Sequence, residues 1–138
     1  NPQPPVYLGG FSPNTFTRIV NYDTNGWLAV VGGPLEYLDN TIKTIKDIAN
    51  KANKDPNKFK VILLAHLNVA LDPKSQSTTT NEDQRFPFTG TIDQIGNDIK
   101  RIKQMDIDHI IFGYVFVPIG RDVNKILDLT KQLAKFAR

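Results

Sequence analysis

Four times along this chain a short apolar run gives way to a stretch whose apolar residues recur every three or four positions. Residues 6–8 form the first run, and the helix after it starts at Ser12 with Phe16, Ile19 and Val20 at helical spacing. Ser12 suits an N-cap, and Pro13 suits the first helical position, where a missing N–H costs nothing. After the Asn25-Gly26 turn, residues 27–31 form the second run, closed by Gly32-Gly33-Pro34. Leu35, Leu38, Ile42, Ile45, Ala49 and Ala52 then mark one face of a helix that Asp55-Pro56 stops. Residues 59–71 form the third run, long and nearly all apolar, as expected of a strand covered on both sides. Thr91 and Gln94 have capping-box spacing at the start of a helix whose buried stripe is Ile92, Ile95, Ile99, Ile102 and Met105. Residues 109–117 form the fourth run, and a last helix from Asp122 presents Val123, Ile126, Leu127, Leu133 and Phe136.

Such an order calls for an α/β fold, with parallel strands joined by crossover helices. Two architectures satisfy it. One is an open four-stranded sheet. The other is (β/α)4, half of a TIM (β/α)8 barrel, since a closed barrel needs about 250 residues and this chain has 138. A hydrophobic share of 40% and a charged share of 22% are ordinary for a soluble globular protein. A net charge of +3 is too mild to indicate nucleic acid. The lysines between Lys43 and Lys60 alternate with acids, as on a solvated helix face. No apolar run has the length of a membrane span and no signal-peptide pattern appears, so a cytoplasmic protein is expected. The start at Asn1 points to processing or a fragment.

The segment Gly9-Gly10-Phe11-Ser12-Pro13-Asn14 is suited to an anion. Glycines let the backbone approach closely, and a helix N-terminus aims free N–H groups at it. The amides of Asn14 and Thr15 lack helical partners, and Ser12 can serve only part of that need. Gly32 and Gly33 repeat the pattern one strand later. His66 and Asn68 share parity, so both face one side of the third strand. His109 begins the last strand, at the end away from a ligand site. Arg85 and Arg121 either reach an anionic group or face solvent. Residues 72–90, polar and rich in Ser and Thr, form a long loop of the functional or disordered kind. With no cysteine and two histidines, neither thiolate chemistry nor a metal site is expected. No Ser–His–Asp order, paired-carboxylate motif or Walker loop appears.

Four motifs in order resemble the C-terminal half of the luciferase-like flavin and deazaflavin oxidoreductases, the bacterial luciferase-like monooxygenase superfamily. Pro5-Val6-Tyr7-Leu8-Gly9-Gly10 with Ser12-Pro13 looks like the lead-in and fifth strand of that barrel. Asn25-Gly26-Trp27-Leu28 is similar to its Asp-Gly-Trp signature. Asp55-Pro56 ahead of residues 59–61 is the third match. Gly90-Thr91 through Gln94, then Ile107-Asp108-His109-Ile110-Ile111-Phe112, resembles the path into the eighth strand. Asn25 departs from the usual aspartate, and Met105-Asp106 from a usual glycine.

The resemblance implies a single C-terminal half-barrel domain over residues 1–138, with 72–90 as a mobile lid. It implies an oxidoreductase acting on a small-molecule substrate with coenzyme F420 or FMN. The coenzyme phosphate would be held by Gly9, Gly10, Phe11, Ser12, Asn14, Gly32 and Gly33, with catalytic residues in the absent half. The partner would be a second copy or an N-terminal half-barrel, because half a barrel leaves unpaired edges and an apolar interior. The alternative is a non-catalytic half-barrel that binds a phosphorylated ligand or a partner subunit.

Overall fold

The computed structural model describes residues 3–22, 24–70, 85–117, 119 and 121–137. The order is β1 (Tyr7–Gly9), α1 (Pro13–Asn21), β2 (Gly26–Val30), α2 (Leu35–Lys51), a 3-10 turn (Pro56–Lys58), β3 (Lys60–His66), β4 (Asn68–Val69), β5 (Thr89–Gly90), α3 (Ile92–Ile102), β6 (His109–Gly113) and α4 (Val123–Ala137). A four-stranded sheet has the order β1-β2-β3-β6, and β4 and β5 pair by themselves. β1 with β2, β2 with β3 and β4 with β5 are parallel. Alternating parallel strands and helices are what the apolar pattern requires.

The chain divides into two compact units, Asn1–Leu64 with Asp106–Ile111, and Ala65–Met105 with Phe112–Arg138. In the first, Ser12 caps α1 and Pro13 opens it, as read from the sequence. Pro34, which closes the second apolar run, occupies the N-cap of α2, and the helix begins at Leu35. Phe16, Ile19 and Val20 of α1 and Leu35, Leu38, Ile42, Ile45 and Ala49 of α2 are buried, along with Trp27, Ala29, Val61 and Leu63 of the strands. Leu28, Val30, Ile62 and Leu64 alternate with those strand residues and are only half-buried.

The N-terminal ends of the strands are tied by a repeated device. Asn25, just before β2, donates its N–H to the Val6 carbonyl at 2.8 Å. Its Oδ1 accepts the Val6 N–H at 2.6 Å. Asp108, just before β6, does the same to Val61, at 2.9 Å through its N–H and 2.8 Å through Oδ2. The Asn25 carbonyl accepts the Lys60 N–H at 2.9 Å. Lys60 Nζ reaches Asp108 Oδ1 at 2.8 Å, and Lys46 Nζ reaches Asp106 Oδ2 at 2.5 Å. Burial pushes the Asp108 carboxyl up, but the Lys60 ammonium and the Val61 N–H outweigh it and hold the pKa below the ordinary value. The hydrogen bond to Asp108, then its charge, raises that of Lys60. Gly26 lies between these ties at φ +153, where an added Cβ would fall 1.8 Å from the Lys60 carbonyl oxygen. Only glycine fits there.

The second unit departs from the sequence expectation in two places. The third apolar run breaks at Leu67, whose N–H bonds the Gly113 carbonyl at 2.8 Å. Beyond it Asn68 turns to β5, donating to the Phe88 carbonyl at 3.0 Å. In α4, Leu129 and Leu133 are buried while Val123 and Leu127, expected on the packed face, are exposed. Asp122 receives the Lys125 N–H at 3.2 Å, and this backbone hydrogen bond lowers its pKa. The capping box of Thr91 and Gln94 forms as expected. No helix among the described residues is long and apolar enough to cross a membrane.

Candidate functional site

Gly9 lies opposite Leu28 in the parallel pair β1–β2, so the two strands finish on the same edge of the sheet. In parallel α/β folds that C-terminal edge receives ligands. Gly9, Gly10, Phe11, Ser12 and Asn14 are all exposed there, Gly32 is exposed and Gly33 is half-buried.

Trp27 holds the loop after β1 from behind. It is buried and donates its indole N–H to the Gly10 carbonyl at 2.9 Å. Its ring meets Phe11 and Phe16 edge-on, with centroids 5.5 and 6.0 Å away. Gly10 has φ +117, and a Cβ on it would come 3.1 Å from Thr15 Oγ1. Glycine therefore keeps the backbone open beside two hydroxyls, Ser12 Oγ and Thr15 Oγ1, which lie 3.0 Å apart. Sequence reasoning did not single out the Thr15 side chain. Its spacing of three from the N-cap serine was the available signal.

The helix-end donors divide as follows. The Thr15 N–H goes to Ser12, at 2.9 Å to the carbonyl and 3.2 Å to Oγ, and the Phe16 N–H goes to the same carbonyl at 3.3 Å. The Asn14 N–H has no protein acceptor among the described residues. One hydroxyl hydrogen is used in the Ser12–Thr15 contact, which leaves one amide and one hydroxyl hydrogen at this glycine-led helix start, a donor set that can serve an anion. Gly32 and Gly33 differ from Gly10. A Cβ at Gly32 would meet only the Val30 carbonyl, at 3.9 Å, and one at Gly33 nothing within 4 Å. Neither position needs glycine for its backbone.

In the second unit, His66 ends β3 with its ring edge-on to Phe116 at 5.4 Å. Burial still alternates through the break at Leu67. Leu67 and Val69 are buried, whereas His66 is half-buried and Asn68 exposed. His66 ends β3 and Asn68 begins β4 in a separate two-stranded sheet, so the single strand on which they were expected to share a face is divided. His109 is exposed at the start of β6, and Arg121 is exposed in a turn.

Arg85 neither faces solvent nor waits for an anion. Its side chain is 8% exposed and grips the Asp98 carboxylate, itself 1% exposed, with Nη1 at 2.9 Å and Nη2 at 2.8 Å. Asp98 also accepts the Phe88 N–H at 2.7 Å. Residues 85–90, the end of the segment read as a loop, are thereby fastened to α3, and residues 72–84 lie outside the described residues. Among the described residues no cluster of three or more His, Cys, Asp or Glu is placed to hold a metal. A small recess of about 10 Å³ beside Trp27, Ile45 and Phe59, room for roughly one water, lies at the N-terminal end of the strands and includes none of the assigned residues.

No protein-family model matches the chain, and no curated protein does. Among solved structures it is similar to an F420-dependent secondary alcohol dehydrogenase in complex with an F420-acetone adduct, with a TM-score of 0.73 at 19% identity. The match covers 100% of this chain and 50% of that one, so this chain spans about half the length of the enzyme it resembles. At that identity the likeness concerns the fold, and it decides between the two architectures the apolar pattern leaves open: the chain has an α/β fold that is a TIM-barrel-like half with parallel strands.

Proposed function

We propose that this chain is the C-terminal half of a luciferase-like oxidoreductase barrel, in which Gly9, Gly10, Phe11, Ser12 and Asn14 hold the phosphate of coenzyme F420 or FMN. One observation carries the reading. The whole chain follows half of an F420-dependent enzyme from end to end. The glycine at Gly10 supports it, with Thr15 Oγ1 beside it, Ser12 Oγ bonded to that hydroxyl, and the Asn14 N–H left without a helical partner. When bound, such a coenzyme supplies hydride transfer to or from a small-molecule substrate. The residues of this chain bind and orient it. Trp27 fixes the Gly10 carbonyl, and Gly32 and Gly33 leave room on the next strand.

The reading includes a partner, either a second copy or an N-terminal half-barrel. β1 and β6 are the outer strands of the sheet, and in the first unit Leu28, Val30, Ile62 and Leu64 remain half-buried while Ile111 is 49% exposed. Unpaired strand edges beside apolar surface favour association.

Titration with FMN and with F420 tests the coenzyme site. Visible absorbance that stays with the protein through gel filtration, and is lost in Gly10→Leu, is the expected result. Failure of both coenzymes to bind in any assembly state overturns it and favours a non-catalytic half-barrel. Light scattering tests the partner, and a stable, monodisperse monomer counts against it.

A further inference from the structure

Asn25-Gly26 is the only Asn-Gly pair in the chain, and the fold asks for both residues. Gly26 is buried at φ +153, where a Cβ would fall 1.8 Å from the Lys60 carbonyl oxygen. Position 25 must offer a side-chain oxygen to the Val6 N–H, and Asn25 Oδ1 accepts it at 2.6 Å. Asp108 does the same for Val61 with a carboxylate, which Lys60 Nζ neutralises from 2.8 Å. Asn25 does it with an amide. An amide ahead of a glycine carries its own chemistry, because no side chain screens the glycine nitrogen from the amide carbon.

In the folded chain that encounter is held off. The Asn25 N–H donates to the Val6 carbonyl at 2.8 Å, and its carbonyl accepts the Lys60 N–H at 2.9 Å. These two bonds pin the backbone on both sides of the Asn25 Cα, and Val6 pins the side chain. Closing a ring between Cγ and the Gly26 nitrogen turns the torsions about that Cα, so it must break the bond to Val6. The strand that makes this bond is a weak one. β1 is three residues long and lies at the edge of the sheet, where local opening costs least.

We propose that Asn25 is a latent modification site, open to self-deamidation only when β1 lets go of β2. The Gly26 nitrogen gives up its proton and bonds to Asn25 Cγ, and Nδ2 leaves with a proton as ammonia. Water then opens the cyclic imide. Breaking the new bond gives aspartate, which takes the Val6 N–H as Asp108 takes that of Val61. Breaking the original peptide bond gives isoaspartate, whose chain runs through Cγ and is one carbon longer. That product loses the alignment with Val6, and β1 stays detached, together with the Gly10 loop that follows it. The reaction needs water and no coenzyme.

The test follows Asn25 by peptide mass and by chromatography, which separates aspartyl from isoaspartyl peptides. The unaltered chain is incubated folded and in rising urea, beside Val6→Pro, which lacks the N–H that Oδ1 accepts. The folded chain is expected to lose Asn25 about tenfold more slowly than the unfolded chain, or slower still. Val6→Pro is expected to lose it about fivefold faster than the unaltered folded chain, the effect of one hydrogen bond. Should Val6→Pro not fold, the urea series decides. A rate that climbs below the unfolding midpoint supports local release of β1. A rate that climbs only with global unfolding, or one equal in the folded and unfolded chains, overturns the proposal. Hydrogen exchange then compares the products. The amides of β1 should stay protected in Asn25→Asp and lose protection in the isolated isoaspartyl chain, and equal protection in both overturns the detachment of β1.

Discussion

The two ends of the strands in the first unit are built in opposite ways. At the N-terminal end, Asn25 and Asp108 each donate a backbone N–H to a neighbouring carbonyl and accept the same residue's N–H at a side-chain oxygen, and Gly26 is pressed against the Lys60 carbonyl. At the C-terminal end, Gly9, Gly10, Phe11, Ser12 and Asn14 are exposed, and Gly32 and Gly33 have space around them. The second unit repeats the contrast with single side chains. Asp98 accepts three hydrogen bonds in the core, whereas the buried Nδ1 of His66 accepts none. Bonded polar groups are concentrated at the N-terminal strand ends and around Asp98, and the C-terminal strand ends have none of these ties.

Substitutions on either side of this contrast should separate sharply. Asp98→Ala takes the carboxylate away from a buried guanidinium and should lower unfolding free energy by about 3–5 kcal/mol in urea titrations. A loss below about 1 kcal/mol, the size of a surface pair, would break the comparison. Gly26→Ala forces a methyl into the Lys60 carbonyl and should cost about 3 kcal/mol by the same measurement. Its counterpart at the open end, Gly32→Ala, should stay within about 0.5 kcal/mol. Equal losses from the two glycines would erase the distinction between the ends.

Smaller effects sharpen the picture. Asn25→Ala leaves the Val6 N–H without its acceptor and should cost about 1 kcal/mol, while Asn25→Asp, which keeps an acceptor oxygen, should restore most of it. The smallest effect concerns pH. Because the pKa of Asp108 is depressed in the folded protein, its contribution is present above the ordinary carboxylate range and is lost as pH falls through the folded value. That of Lys60, raised, is intact below its ordinary value and is lost as pH rises through the folded one. The difference in urea midpoint between the unaltered chain and Asp108→Asn should therefore shrink from neutral pH toward acid. A constant difference would detach Asp108 from the clamp.

Local chemistry was legible in the sequence. Ser12-Pro13 and Thr91 with Gln94 act within one helical turn, so spacing alone reveals them. The alternation of runs and stripes likewise announces parallel α/β folding, because burial dictates both periods. Contacts between distant residues were not legible. Arg85 finds Asp98 only once the chain has turned back onto α3, and an isolated arginine in a polar stretch carries no mark of its partner. The break at Leu67 depends on the Gly113 carbonyl, far along the chain, whereas residues 59–71 read as one uninterrupted run. In α4, apolar periodicity identifies a helix but does not say which apolar residues pack, and Val123 and Leu127 remain exposed. The candidate site shows the same division. Gly10 and Ser12 stand out by type, while Trp27 behind them and Thr15 beside them gain their roles from the fold.

The repeated clamp of Asn25 and Asp108 has a consequence for how such a fold can change. Parallel strands have no hairpin turn to set their alignment, and a slip of one residue would turn every side chain to the wrong face. Here a single residue ahead of the strand reads its neighbour's backbone and fixes the alignment from below. The loops above lie at the opposite end of the strands, away from that clamp, where Trp27 holds the Gly10 carbonyl. They are at liberty to lengthen, shorten and exchange residues, so new specificities can be tried on this framework without the strands losing their place.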